Sequence, residues 1–165
     1  MTRRKYIINW LIVVFDIWLI TYSFPIYATS TANPDYSRLQ QFSFNDTIAR
    51  IDLRISEFEK NGNRAELAKA LTEKADIYFN HYAYRNALNL YLHAYDRDPR
   101  NVYVQDQIAD CYFKLHDPVS AAKWFSRIIN EPDLHPESKF EYAESLSMTG
   151  NYSESLHWFK QYLKE

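Results

Sequence analysis

The chain has 165 residues, 47% of them hydrophobic and 17% aromatic, with a formal net charge of −2. Its two glycines supply few tight β-turns, and its single cysteine, Cys111, excludes an intramolecular disulfide. Mild acidity is a poor match for a phosphate backbone, which sets nucleic-acid binding aside. An all-helical protein about one domain long is the remaining expectation.

Residues 1–28 stand apart. Arg3, Arg4 and Lys5 precede an apolar stretch that starts at Ile7, and Pro25 and the small Ala28 close it. That order predicts a secretory signal peptide cut after Ala28. A retained signal anchor over residues 7–24 is the rival reading. Its 18 residues are close to the minimum for a span, but Asp16 inside it costs about 3 kcal/mol on insertion scales. Both readings place the rest of the chain outside the cytoplasm, and membrane contact follows only if the segment is retained. Beyond residue 28 there are 16 basic and 20 acidic side chains, a net charge of −4.

Residues 29–44 read as a flexible lead-in, because Thr29 to Asp35 is rich in Ser, Thr, Asn and Pro. A capping helix or half-repeat is expected over 45–61. Asn45 would be its N-cap, and Ile48, Ile51, Ile55 and Phe58 fall on one face. Asn61-Gly62-Asn63 ends it, with Gly62 suited to a left-handed cap.

From here the sequence repeats every 34 residues without gaps. Ala75, Ala109 and Ala143 share one phase, and Ala87, Ala121 and Ser155 a second. Tyr91, Phe125 and Phe159 share a third, Tyr78, Tyr112 and Leu146 a fourth. The units are 68–101, 102–135 and 136–165. Each reads as two helices joined by a turn. The first pair runs from about Glu66 to His81 and from Tyr84 to Arg97, and Asp98-Pro99 closes it. In the second, Asp117-Pro118 starts the later helix as N-cap and first helical residue. In the third, Gly150 turns the chain. Small residues at two fixed phases let paired helices approach, and large ones fill the gaps between neighbouring pairs. No single hairpin can bury its stripe alone, so stacking supplies the core.

These residues resemble the tetratricopeptide repeat (TPR) family over about 98 of the 165 residues. Ala75, Ala87, Ala94, Leu71, Tyr78, Tyr84, Tyr91 and Pro99 carry the match in the first unit. Ala143, Tyr142, Gly150, Tyr152 and Phe159 carry it in the third. The second departs from the pattern at Ile128 and Pro132. The resemblance implies an all-α, TPR-like α-solenoid of helix-turn-helix hairpins, about seven helices after the N-terminal segment. The segment from Glu141 to Leu163 is also similar to repeats that open OmpA-type envelope proteins of bacteria with type IX secretion and gliding motility. That likeness implies a periplasmic, cell-envelope scaffold, without the lipobox cysteine or the cell-wall-binding domain of those proteins.

Catalytic chemistry has no constellation to rest on. His81, His93, His116, His135 and His157 form neither a metal-binding HExxH nor a close His–Cys cluster. Two glycines leave no phosphate-binding loop, and no GxSxG occurs. No enzyme activity, cofactor or metal is therefore expected. Cys111 falls on an apolar helical face and reads as a small buried side chain.

In the family, the first helix of each hairpin lines a concave groove. Carried over, the groove residues are Asp76, Asp110 and Glu144 in one row, Phe79 and Phe113 in a second, and Asp106 and Phe140 in a third, with Tyr103 beside them. The family's carboxylate-clamp sites hold Thr72, Asp76, Gln107, Glu137 and Glu141 here, the wrong charge for an anionic peptide end. The expected partner is a protein or peptide segment that is basic or neutral. The final helix carries Leu156, Phe159, Tyr162 and Leu163, where repeat arrays normally end in a polar face. Docking of a partner, self-association, or a longer envelope protein would each account for that. A membrane-anchored assembly factor of a secretion or outer-membrane complex is the alternative to a soluble adaptor.

Overall fold

The computed structural model describes residues 34–132 and 134–164. They form seven helices and no strand. These are α1 (Pro34–Asn61), α2 (Arg64–Asn80), α3 (Tyr84–Arg97), α4 (Val102–Lys114), α5 (Pro118–Ile128), α6 (Pro136–Met148) and α7 (Tyr152–Tyr162). The chain divides into two compact units at Asp46 and Thr47. Of the first, the described part is the helical stretch 34–46. The packing below belongs to the second unit.

The start of α1 corrects one expectation. Residues 34–44 are helical rather than lead-in, and Asn45 lies within α1 instead of capping it. Proline has no N–H to satisfy, so Pro34 suits a first helical position. Residues 35–44 contain neither glycine nor proline, so nothing interrupts the helix. The signal or anchor at 1–28, and residues 29–33, lie outside the described residues. No helix among those described is long and apolar enough to cross a membrane.

Each hairpin turn is built the same way. Tyr82, His116 and Gly150, spaced 34 apart, adopt left-handed backbone with φ of 60°, 60° and 86°. The following N–H then returns to the carbonyl five residues back, from Ala83 to Tyr78 at 2.9 Å, Asp117 to Tyr112 at 2.9 Å and Asn151 to Leu146 at 2.8 Å. These bonds satisfy carbonyls that the helix end leaves orphaned. Gly62 ends α1 with the same bond, from Asn63 to Phe58 at 3.0 Å. Three helices, α2, α4 and α5, are capped by side chains. Asn63, Asn101 and Asp117 accept from the N–H of Glu66, Val104 and Ser120.

The small positions sit where paired helices meet. Ala75, Ala87, Ala109, Ala121 and Ala143 are fully buried. Ser155 replaces the last alanine and donates its hydroxyl to the Ala143 carbonyl at 2.7 Å, so its burial leaves no polar atom stranded. Tyr91 and Phe125 are fully buried in two successive cores. The first joins α2, α3 and α4. The second joins α4, α5 and α6. Cys111 is buried in the first, and burial pushes its thiol up to about 12.

Candidate binding cleft

The first helices of the hairpins, α2, α4 and α6, stand in sequence along one side of the array. The two gaps between them differ, because the two tyrosines that bridge the first, Tyr91 and Tyr103, become Phe125 and Glu137 in the second. In the first gap Tyr103 on α4 reaches Asp76 on α2 and donates to its carboxylate at 2.9 Å. Tyr91 donates to the same carboxylate at 2.6 Å and lies 3.3 Å from the Gln107 amide oxygen. Burial, and then the Asp76 carboxylate, push both phenols above the ordinary tyrosine value. Three helices are tied together there.

Thirty-four residues on, Asp110 replaces Asp76 and Glu137 replaces Tyr103. Two acids cannot form that bridge. A cleft of about 570 Å³ remains between α4 and α6, with Val102 and Leu134 as apolar walls and Tyr103, Asp106, Gln107, Asp110, Glu137, Ser138 and Glu141 presenting polar groups. Its loop edge is His135, whose Nδ1 accepts from the Glu137 N–H at 3.3 Å.

The cleft holds more negative charge than its one lysine balances. Lys114 places its ammonium 2.8 Å from Glu141 and 3.3 Å from Asp110. Shared between two carboxylates, it does not offset the burial of Glu141. Desolvation first, then the Asp110 charge, push Glu141 up to about 7. Asp106 is also raised, mainly by burial, with Ser138 and His135 opposing the shift. Asp106 and Asp110 each keep one oxygen, Oδ1, shut from solvent with no hydrogen bond, although Lys114 is the ion-pair partner of the Asp110 oxygen.

The residues expected along the groove divide. Tyr103, Asp106 and Asp110 line the cleft. Asp76 belongs instead to the tyrosine bridge of the neighbouring gap. The three phenylalanines do not line the cleft, although Phe140 stays 37% exposed. Phe79 stacks edge-on against Tyr84 at 5.2 Å, beside the turn. Phe113 packs against the second core, with the Lys114 ammonium 5.3 Å from its ring. Phe140 meets Phe159 at 5.4 Å and Tyr162 at 5.5 Å, inside the last hairpin. Glu144 is half-buried one turn beyond Glu141 and does not line the cleft. Glu137 and Glu141 complete the wall. Their signal was the register itself, since a cleft between neighbouring helices draws one row of residues from each.

No protein-family model and no curated protein matches this sequence. Solved structures do resemble its fold. YrrB, a TPR protein with an unusual peptide-binding site, superposes with a TM-score of 0.61 at 16% identity, covering 87% of this chain and 73% of that one. A kinesin light chain-like protein of Podosopora anserina with nearly identical TPR-like repeats gives 0.58 at 15% identity, covering 98% of this chain and 90% of that one. The fold is a TPR-type helical solenoid.

Proposed function

We propose that this chain is a non-catalytic adaptor that holds an extended protein segment, basic or neutral in character, in the cleft between α4 and α6. The observation that carries this reading is the unbridged gap itself, where Asp106, Asp110, Glu137 and Glu141 line one cleft with the apolar Val102 and Leu134, and Lys114 pairs with only two of the four acids. A lysine or arginine side chain entering it would pair with the carboxylates that line it. The peptide-binding site reported for YrrB supports a protein or peptide partner, and the basic or neutral character rests on the charge of the cleft. The basic, apolar and small-residue order of residues 1–28 supports action outside the cytoplasm, as a scaffold in a bacterial periplasm or cell envelope.

The test is binding of the full chain to an array of extended peptides of graded charge. Peptides with lysine or arginine should bind, and an Asp106→Asn/Glu137→Gln variant should lose at least about tenfold in affinity, the scale of one charge-assisted contact. Equal binding of acidic and basic peptides, or a variant that binds as wild type does, would overturn the reading.

A further inference from the structure

The four acids of the cleft are not equivalent, and the neighbouring gap shows why. Lys114 is the last residue of α4 and does not itself line the cleft. It reaches Asp110 and Glu141 from one turn further along the helix, at 3.3 and 2.8 Å. Thirty-four residues earlier, the positions of Lys114, Asp110 and Glu141 hold Asn80, Asp76 and Gln107. There the hydroxyls of Tyr91 and Tyr103 donate to the carboxylate. In the second gap both tyrosines are gone, and the lysine arrives together with Glu141 in place of the glutamine. Lys114 therefore does for Asp110 what two phenols do for Asp76.

Asp106 and Glu137 have no such counter-ion. They stand where the first gap has Thr72 and Tyr103, so both are charges that the second gap adds. Ser138 and His135 stand by Asp106, and the Tyr162 hydroxyl donates to Glu137 at 3.3 Å. Among the described residues neither carboxylate pairs with a lysine or arginine. The two precede Asp110 and Glu141 by four residues on α4 and α6, about 6 Å along each helix axis. In an extended segment, side chains two residues apart point the same way and stand about 6.5 Å apart. A segment laid along the cleft thus sets one side chain at each pair of acids.

Given that the cleft binds an extended segment, as proposed above, we infer that Lys114 sets what the cleft selects. It holds Asp110 and Glu141 from behind, so the cleft takes one basic side chain, at Asp106 and Glu137, and an uncharged one two residues away. A second basic residue would meet carboxylates that are already paired.

Titration calorimetry of the full chain tests this at about pH 8, above the value of about 7 to which Glu141 is pushed. Three extended peptides carry no lysine, one lysine, or two lysines with one residue between them. In the wild type the first lysine should tighten binding at least about tenfold, and the second by less than about threefold. In Lys114→Gln the second lysine should tighten binding at least about tenfold, and Lys114→Gln/Glu141→Gln should lose most of that gain. Lys69→Gln removes the same charge from an exposed pair with Glu66 on α2, and should behave as the wild type does. Unchanged helical circular-dichroism spectra check that the variants fold, and the wild-type arm needs none of them. A second lysine that adds about tenfold in the wild type, or nothing in a folded Lys114→Gln, would overturn the role of Lys114 and leave the cleft a peptide site. A first lysine that adds nothing in either protein would remove the basic-segment reading of the cleft, and the role of Lys114 with it.

Discussion

Glu141 is the side chain whose surroundings most exceed its partner's reach. Its carboxylate is only 16% exposed, and the lysine that meets it is shared with Asp110. The folded chain therefore holds the Glu141 proton up to about 7, whereas the unfolded chain releases it near 4.5. Between those values the folded state binds more protons, so stability falls as the pH rises. Asp106, raised for the same main reason, acts in the same direction. Asp117 is lowered by its hydrogen bonds at the α5 N-terminus, so its opposite effect lies below pH 4. Melts between pH 4.5 and 8 should show the wild type losing on the order of 1–3 kcal/mol of stability. Glu141→Gln keeps the shape and removes the titration, and should lose much less over that range. A wild-type melting temperature that stayed level or rose toward pH 7 would show that Lys114 already neutralises the site.

At the scale of the element, the hairpin turn is what each unit repeats most faithfully, yet only one copy uses the residue that suits it. The left-handed conformation costs an L-residue about 1–2 kcal/mol, and Tyr82 and His116 bear that cost where Gly150 does not. Glycine returns part of the gain through its greater freedom when unfolded. His116→Gly should therefore stabilise the chain by about 0.5–1 kcal/mol, a rise of roughly 2–8 °C in melting temperature. Gly150→Ala should do the reverse by about 1 kcal/mol. Nothing lies within 4 Å of the added methyl, so that loss would be one of backbone conformation alone. Thermal melts of both variants decide the matter, and opposite signs are the required result. The turns and small positions were legible in the sequence because size and backbone need recur every 34 residues. The start of α1 was not, because it has no equivalent hairpin against which to set its register, and a stretch of Ser, Asn and Pro reads locally as loop.

At the scale of the whole array, position on a helix could be read from periodicity, but occupancy of that position by a neighbour could not. Asp76 and Asp110 are equivalent in sequence, yet the first is taken up by Tyr91 and Tyr103, 15 and 27 residues away. Phe79 and Phe113, read as groove residues from the same register, pack against the two cores, while Phe140 packs on α7 and stays partly exposed. Such long-range pairings also set how the array should come apart. Stability in a stacked repeat is close to a sum over neighbours. The core around Tyr91 joins α2 to α4, and the core around Phe125 joins α4 to α6. Phe125 is fully buried and meets the Tyr142 ring at 6.3 Å. Removing it by Phe125→Ala should cost about 3–5 kcal/mol, and the loss should fall on one side. Amide exchange in α5, α6 and α7 should accelerate by about a hundredfold or more, while α2 and α3 keep most of their protection. Tyr112 and Trp124 pack against both cores, so α4 should show an intermediate change. Equal acceleration in all of these helices would mean that those two bridging rings bind the hairpins into one cooperative unit, and that neighbour-by-neighbour addition fails for this chain.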